Sequence, residues 1–224
     1  LILTSCIITK NIQGGDIVKE MYLRALEIAI MAHGKTRGKD GHLYVMHPIR
    51  VADMLTDPKE KIVGLLHDVV EDTNWTLAQL ADEGFPKDII DAVDAVTYRK
   101  GEDRYAYLTR CKTNPIAAAV KLADLRHNSD LNRLPIITQH DIDRHVYYQQ
   151  NIAFMLNMTG DKRDGLLYWK YDVFDIHQTA PRNPDGTHGP WFQYIATHNG
   201  LVITTESNLY DAILFLNQCD PALP

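Results

Sequence analysis

A chain of 224 residues with 45% apolar content is long enough to bury one core of ordinary size and to carry a small appendage. Its formal charge of -6 excludes a general nucleic-acid binder, which needs a basic face to neutralise phosphates. A phosphorylated small molecule stays open as a partner, because a few local Lys and Arg side chains suffice for it.

In chain order, a strand-like opening from Leu1 to Thr9 is followed by a Gly14-Gly15 break. Asp16 is then placed to cap a helix in which Val18, Tyr22, Ala25, Leu26, Ala29 and Ile30 recur at helical spacing, ending near His33-Gly34. Lys35 to Leu43 is a polar, Gly-containing loop before a helix from His47-Pro48 to Leu55, with Pro48 suited to a first turn. Pro58 to Glu71 reads as one helix, apolar almost all round, broken at Asp72-Thr73. Shorter helices are expected over Thr76 to Asp82, Pro86 to Val96, Glu102 to Lys112, Pro115 to His127 and Asp141 to Met158.

Past Gly160 the pattern changes, with Tyr168 to Ile176 and Phe192 to Thr205 rich in aromatic and β-branched residues around the loop "TAPRNPDGTHGP". Asn199-Gly200 is a two-residue hairpin signal, since both residues tolerate positive φ. Ser207 is then a cap for a helix over Leu209 to Gln218. Trp191, Tyr194 and Tyr210 are expected to pack inward. The fold class expected is mainly α, with a helical domain over 1–159 and a small α+β appendage, a β-hairpin plus helix, over 160–224.

The three cysteines, Cys6, Cys111 and Cys219, form no CxxC pair and no secreted disulfide pattern. No apolar run approaches the roughly 18 to 20 residues of a membrane helix, and "LILTSCIITK" lacks the charge-first order of a signal peptide. A reducing cytoplasm, with no membrane and no nucleic acid as partner, is the expected setting.

The segment "LLHDVVEDT", Leu65 to Thr73, carries the strongest chemical signal. Burying His, two Asp and a Glu in an apolar helix is costly unless something pairs with them. His67 and Asp68 are adjacent, and Glu71 and Asp72 each follow one of them by four residues, so the two pairs stack one turn apart. One turn can hold an ion while the next handles a proton. Imidazole and carboxylate donors without a nearby thiolate suit Mn²⁺, Fe²⁺, Zn²⁺ or Mg²⁺ rather than a structural zinc. His47 in "YVMHPI" and Asp124 in "VKLADLRHN" are the best further ligands. Taken singly, each of these is more often a hydrogen-bonded cap. Taken together, three carboxylates within one turn call for a cation or raised pKa values.

The segments "AHGKTRGKDGHLYVMHP", "GLLHDVVEDTNWT" and "VKLADLRHNSDLNRLP" resemble, in order and spacing, the HD-type hydrolase half of the Rel and SpoT enzymes and the small alarmone hydrolases, over roughly residues 20–158. The resemblance implies a helical HD domain that removes the 3′-pyrophosphate of (p)ppGpp, usually with Mn²⁺, giving GDP or GTP and pyrophosphate. It implies metal ligands at His47, His67, Asp68 and Asp124, and a catalytic acidic pair at Glu71 and Asp72. It places Arg37 against a guanine base, Lys39 beside it and Asn128 near the ribose. Lys121 and Arg126 are near enough in sequence to serve a phosphate. The family reads R-L-H-N where this chain has Leu125, Arg126, His127, Asn128, a transposition that turns the guanidinium by about 100° around the helix.

Arg133 is expected on a solvated helix face, and His42, His127, His140, His145, His177, His188 and His198 as surface or structural residues. His33, at a helix end before the loop, is the further histidine expected to approach the site. At this length the reading expects hydrolysis without a synthetase half. Two alternatives accompany it. One is a related nucleotide phosphohydrolase acting on ppApp or on the 2′-phosphate of NADPH; the other is a regulatory or antitoxin protein opposing a nucleotide-synthesising toxin, with a homo-oligomer or toxin as partner.

Overall fold

The structure, a computed structural model, describes residues 14–163, 166–171, 174–179, 193–198 and 201–216. The expected strand at Leu1 to Thr9, the Asn199-Gly200 turn, Trp191 and the cysteines Cys6 and Cys219 lie outside them.

Helix α1 runs Gly14–His33, taking in the Gly14-Gly15 pair that the sequence suggested as a break. Helix α2 follows at Met46–Asp53. The long apolar helix expected from Pro58 to Glu71 is two helices, α3 (Pro58–Leu66) and the single turn α4 (Val69–Asp72). Asp57 caps α3, its carboxylate accepting from the N–H groups of Lys59 and Glu60. The interruption falls on His67 and Asp68, where φ -98° and ψ -6° put Asp68 in the bridge region between helix and strand. His67, still helical in its backbone at the end of α3, and Asp68 just after it both line the site.

Helices α5 (Leu77–Asp82), α6 (Lys87–Val96) and α7 (Arg104–Thr113) then build the flank. Thr76 and Gln79 form a reciprocal capping box at the start of α5, and Asp103 caps α7. Helix α8 (Pro115–Ser129) opens on an Asn114 cap with Pro115 in the first turn, and α9 (Gln139–Met155) opens on Thr138 boxed with Asp141. Helix α3 packs against α1, α2, α6 and α8, and its residues Ile62, Val63, Leu65 and Leu66 are wholly buried. Each such side chain removed from water is worth roughly 1.5–3 kcal/mol, so this packing fixes the frame from which His67 projects.

The C-terminal part is a five-stranded antiparallel meander, β1 (Thr159–Arg163), β2 (Leu166–Tyr171), β3 (Phe174–Thr179), β4 (Gln193–His198) and β5 (Leu201–Glu206), with helix α10 (Leu209–Leu216) after it. The α+β appendage is therefore present, but as a full sheet rather than one hairpin. Two causes account for the difference. The β1 segment, "TGDKR", has no apolar alternation to betray a strand, and the run read as one strand from Tyr168 to Ile176 is two, since Tyr171 pairs with Phe174. His198 pairs with Leu201, in the register that a two-residue connection gives. Asn208, not Ser207, caps α10, its side-chain oxygen accepting from the Asp211 N–H at 2.9 Å.

Among the described residues two apolar clusters form. One joins α1, α2, α3, α5, α6 and α8; the other joins Leu108, Leu125, Ile152 and Met155 of the helices to Ile176, Tyr194, Leu209 and Ile213 of the C-terminal part. Tyr194 is wholly buried, as its alternating position predicts, and Tyr210 is half-buried. Among the described residues no helix is long and apolar enough to cross a membrane.

Candidate metal centre and its cavity

Helices α2, α3 and α8 pack against one another, and four side chains from three distant stretches converge there. His47 stands in the first turn of α2, His67 and Asp68 at the α3/α4 break, and Asp124 in the third turn of α8. The Nε2 atoms of His47 and His67 lie 3.3 Å apart. Asp124 Oδ1 is 3.1 Å from His47 Nε2 and 3.8 Å from His67 Nε2, and Asp68 Oδ2 is 3.5 and 3.1 Å from the same two atoms. His47, His67 and Asp124 are buried and offer one donor atom each within 4.8 Å of one another, a group that can hold a divalent cation.

The surrounding bonds suit that use. His67 Nδ1 lies 2.7 Å from the Gly64 carbonyl oxygen, which only accepts, so Nδ1 carries a proton and, whenever the ring is neutral, the lone pair is at Nε2 toward the site. Tyr44, which the sequence reading passed over, donates its hydroxyl to Asp68 Oδ2 at 2.5 Å. Asn128 donates to Asp124 Oδ1 at 2.5 Å and Lys121 to Oδ2 at 2.8 Å. These are the outer contacts that orient ligand side chains in metal sites generally.

The electrostatics follow from burial and charge pairing. Burial alone would lift the Asp124 carboxyl, but Lys121 and then the two histidines outweigh it and hold the group well below the usual carboxylate range. Burial likewise opposes the low pKa of Asp68, which His67 and His47 impose. His67 responds in kind: burial pulls it down, yet Asp68 and Asp124 raise it well above an ordinary imidazole. Without a metal, a proton on His67 balances the carboxylates; a cation would do so in its place.

Glu71 and Asp72 line the same cavity as the four residues above, a space of about 350 Å³. Burial raises both carboxyls, with Asp68 adding to the effect at each. Glu71 Oε2 accepts the Tyr98 N–H at 2.7 Å, which anchors one oxygen of the carboxylate to the loop after α6.

Of the expected substrate contacts, Lys39, Lys121 and Asn128 line this cavity. Arg37 does not; its guanidinium donates to the Gly41 carbonyl oxygen at 2.8 Å within the 34–44 loop. Lys121 and Asn128 both spend a bond on Asp124, as their positions three before and four after it on α8 allow.

Arg133 is a correction. Rather than lying on a solvated helix face, its side chain is 16% exposed in the cavity wall, on the 3-10 turn at Leu131–Arg133 that follows α8. Arg144 and Tyr148, from α9, complete that wall and were not singled out from sequence. Lys39, Arg133 and Arg144 line one cavity, and burial together with those two arginines depresses the Lys39 pKa.

His127, expected only as a surface or structural residue, meets His47, Nδ1 to Nδ1, at 2.7 Å, and its own pKa is pushed down to about 4 by burial, His47 and Arg133. His33 is buried against the Tyr44 ring, 5.1 Å between centroids, so it approaches the site without lining the cavity. Arg126 turns the other way, its guanidinium 2.5 Å from Asp211 Oδ1 and over the Tyr210 ring.

Comparison with known proteins agrees with the sequence resemblance. No family model matches the chain. A probable GTP pyrophosphokinase of Mycobacterium leprae is 33% identical over 118 residues, covering 47% of this chain and 15% of that protein. Proteins named guanosine-3′,5′-bis(diphosphate) 3′-pyrophosphohydrolase match at 36% over 92 residues in Borreliella burgdorferi and at 37% over 78 residues in Aquifex aeolicus, covering 39% and 33% of this chain. These matches span 14% and 11% of those two relatives. A solved structure described as a metazoan ortholog of SpoT that hydrolyzes ppGpp superposes with a TM-score of 0.50 at 27% identity, over 61% of this chain and 85% of that one. The chain is thus similar, in sequence and in fold, to the hydrolase segment of the Rel and SpoT proteins.

Proposed function

We propose that this chain hydrolyses the 3′-pyrophosphate of (p)ppGpp or a related purine alarmone, giving GDP or GTP and pyrophosphate, with Mn²⁺ as the preferred ion. The observation that carries the reading is one cavity in which the His47, His67, Asp68 and Asp124 group, the Glu71 and Asp72 pair, and the cations Lys39, Arg133 and Arg144 all have a face. A polyanionic substrate fits such a wall, and a pair of carboxylates one turn from the ligands fits the management of a proton.

A divalent ion held by the two histidines and two aspartates would polarise a phosphoryl oxygen and hold substrate in place. The chain's own groups do the rest. Asp72, and the free oxygen of the anchored Glu71 carboxylate, orient a water and accept its proton as its oxygen bonds to phosphorus. The bond from phosphorus to the ribose 3′ oxygen breaks, and that oxygen takes up a proton equivalent to the one the carboxylates accepted, so the pair returns to its starting charge. Burial makes both carboxylates stronger bases than exposed ones, the direction a general base requires. Lys39, Arg133 and Arg144 are assigned to the phosphates, and Lys121 and Asn128 to holding Asp124. Arg37 would have to release the Gly41 carbonyl to stack on a base.

We assign this chemistry to residues 1–159 and treat 160–224 as an extension that braces α8 and α9. The Arg126 to Asp211 pair and the Leu209 N–H donated to Gln149 Oε1 at 3.0 Å support that assignment. A reducing cytoplasm is the proposed setting, in keeping with the free, buried Cys111.

The test is product analysis after incubating metal-stripped protein with ppGpp, ppApp and NADPH in turn, each with and without Mn²⁺. Pyrophosphate released from ppGpp only when Mn²⁺ is present supports the reading. Orthophosphate from NADPH alone would replace it with a 2′-phosphatase, and tight ion binding with no product from any substrate would replace it with a regulatory role.

A further inference from the structure

The two histidines of the centre are oriented by different partners. His67 donates from Nδ1 to a backbone carbonyl, an acceptor with no proton of its own. His47 Nδ1 instead faces His127 Nδ1 at 2.7 Å, the rings 4.8 Å apart between centroids and inclined by 36°. Two neutral imidazole nitrogens at that distance share a single proton, so two arrangements are open.

If His127 donates, His47 carries its proton on Nε2 and aims it at Asp124 Oδ1, 3.1 Å away, leaving no lone pair for a cation. If His47 donates, its Nε2 is bare and faces the same space as His67 Nε2. The usual acceptor for the outer N–H of a ligand histidine is a carboxylate or carbonyl, which can only accept and so fixes the tautomer. Here the acceptor is another imidazole, which can take either role.

We infer that His127 is a positioning residue of the metal centre, accepting the Nδ1 proton of His47 and thereby holding His47 in the tautomer whose Nε2 faces the cation. The inference rests on the metal-centre reading above. Helix α8 is the vehicle: it delivers Asp124 to one side of the His47 ring and His127, three residues on, to the other. Loss of the acceptor would leave a buried N–H of His47 without a partner whenever the ion is bound.

The test titrates Mn²⁺ calorimetrically into the metal-stripped full chain for wild type, His127→Asn, His127→Gln and His127→Leu. Hydrolysis of ppGpp by each is then followed at limiting and at saturating Mn²⁺. Asn places an amide oxygen where Nδ1 stands, whereas Gln reaches the Nε2 position and Leu offers no acceptor. Asn is expected to hold the ion about as wild type does. Gln and Leu are expected to bind roughly 10–100-fold more weakly, with kcat recovering once Mn²⁺ saturates, a recovery that a damaged fold would not show. Equal affinity in wild type, Gln and Leu overturns the inference, as does equal weakening in all three variants. Should the Leu variant fail to fold, the contrast between Asn and Gln decides alone. A wild type that takes up no ion overturns the metal-centre reading itself, whereas one that binds and hydrolyses beside indifferent variants overturns only the role of His127.

Discussion

Gly64 of α3 lies so close to Ala52 of α2 that a methyl group added to it would come within 3.2 Å of the Ala52 Cα and 3.3 Å of its backbone nitrogen. The same glycine offers its carbonyl to His67 Nδ1, and α2 carries His47. One close helix contact therefore sets the spacing of both histidines. Gly64→Ala is expected to cost about 1–3 kcal/mol of stability by overpacking and to weaken Mn²⁺ binding. Urea unfolding and calorimetry check the two effects; a variant of wild-type stability and affinity would show that the contact relaxes freely.

Glu71→Gln and Asp72→Asn are expected to lower kcat by about 10²–10⁴ each while leaving Mn²⁺ affinity near wild type. Because burial raises both carboxyls, the rate of the wild type should fall on the acid side above the ordinary carboxylate range of about 4. A pH profile of kcat/KM reads this directly. An acid limb within the ordinary range would separate these carboxyls from the proton transfer.

The transposed Arg126 gives a third prediction. It spans from α8 to α10 through Asp211 and the Tyr210 ring, both side chains of the ion pair being partly exposed. A double-mutant cycle of Arg126→Ala and Asp211→Ala should return a coupling of about 1 kcal/mol in unfolding free energy. A coupling indistinguishable from zero would mean that the pair contributes nothing to docking the appendage.

His145 links α9, α8 and β4 in one network, with Nδ1–H donated to the Ser129 carbonyl at 2.7 Å and Nε2 accepting from the Tyr194 hydroxyl at 2.7 Å. Burial lowers its pKa below the ordinary imidazole value. Below about pH 6.5 the unfolded chain takes up a proton here that the folded chain resists, so this contribution is complete above that pH and is lost as pH falls toward the folded value. His145→Gln should therefore be less stable than wild type at pH 8, with the gap narrowing at pH 5. Urea unfolding across that range checks it; a constant gap would contradict the linkage.

The sequence made the helical body legible because its signals are local. Apolar periodicity marks the helices, whereas the two caps read beside it are displaced: Asp16 lies inside α1, and Asn208 rather than Ser207 caps α10. His67 and Asp68 were legible for the opposite reason, as charge placed where the pattern demands apolar side chains. What could not be read is what depends on distance in space. Tyr44 meets Asp68 across 24 residues and His127 meets His47 across 80, and neither leaves a periodic trace. Lys121 was readable in part, since a Lys three residues before an Asp on one helix is a pairing signal, though not which of substrate or Asp124 it serves. Arg133 was misplaced because the 3-10 turn that follows α8, and the direction it gives the side chain, are not written in residue type.

The most direct test of the centre is the anomalous signal of Mn²⁺ in crystals of the metal-loaded protein. The account predicts one strong peak bonded to His47 Nε2, His67 Nε2, Asp68 and Asp124 at roughly 2.0–2.2 Å, facing the cavity that holds Glu71 and Asp72. A peak elsewhere, or one that excludes His47 or Asp124, would contradict it.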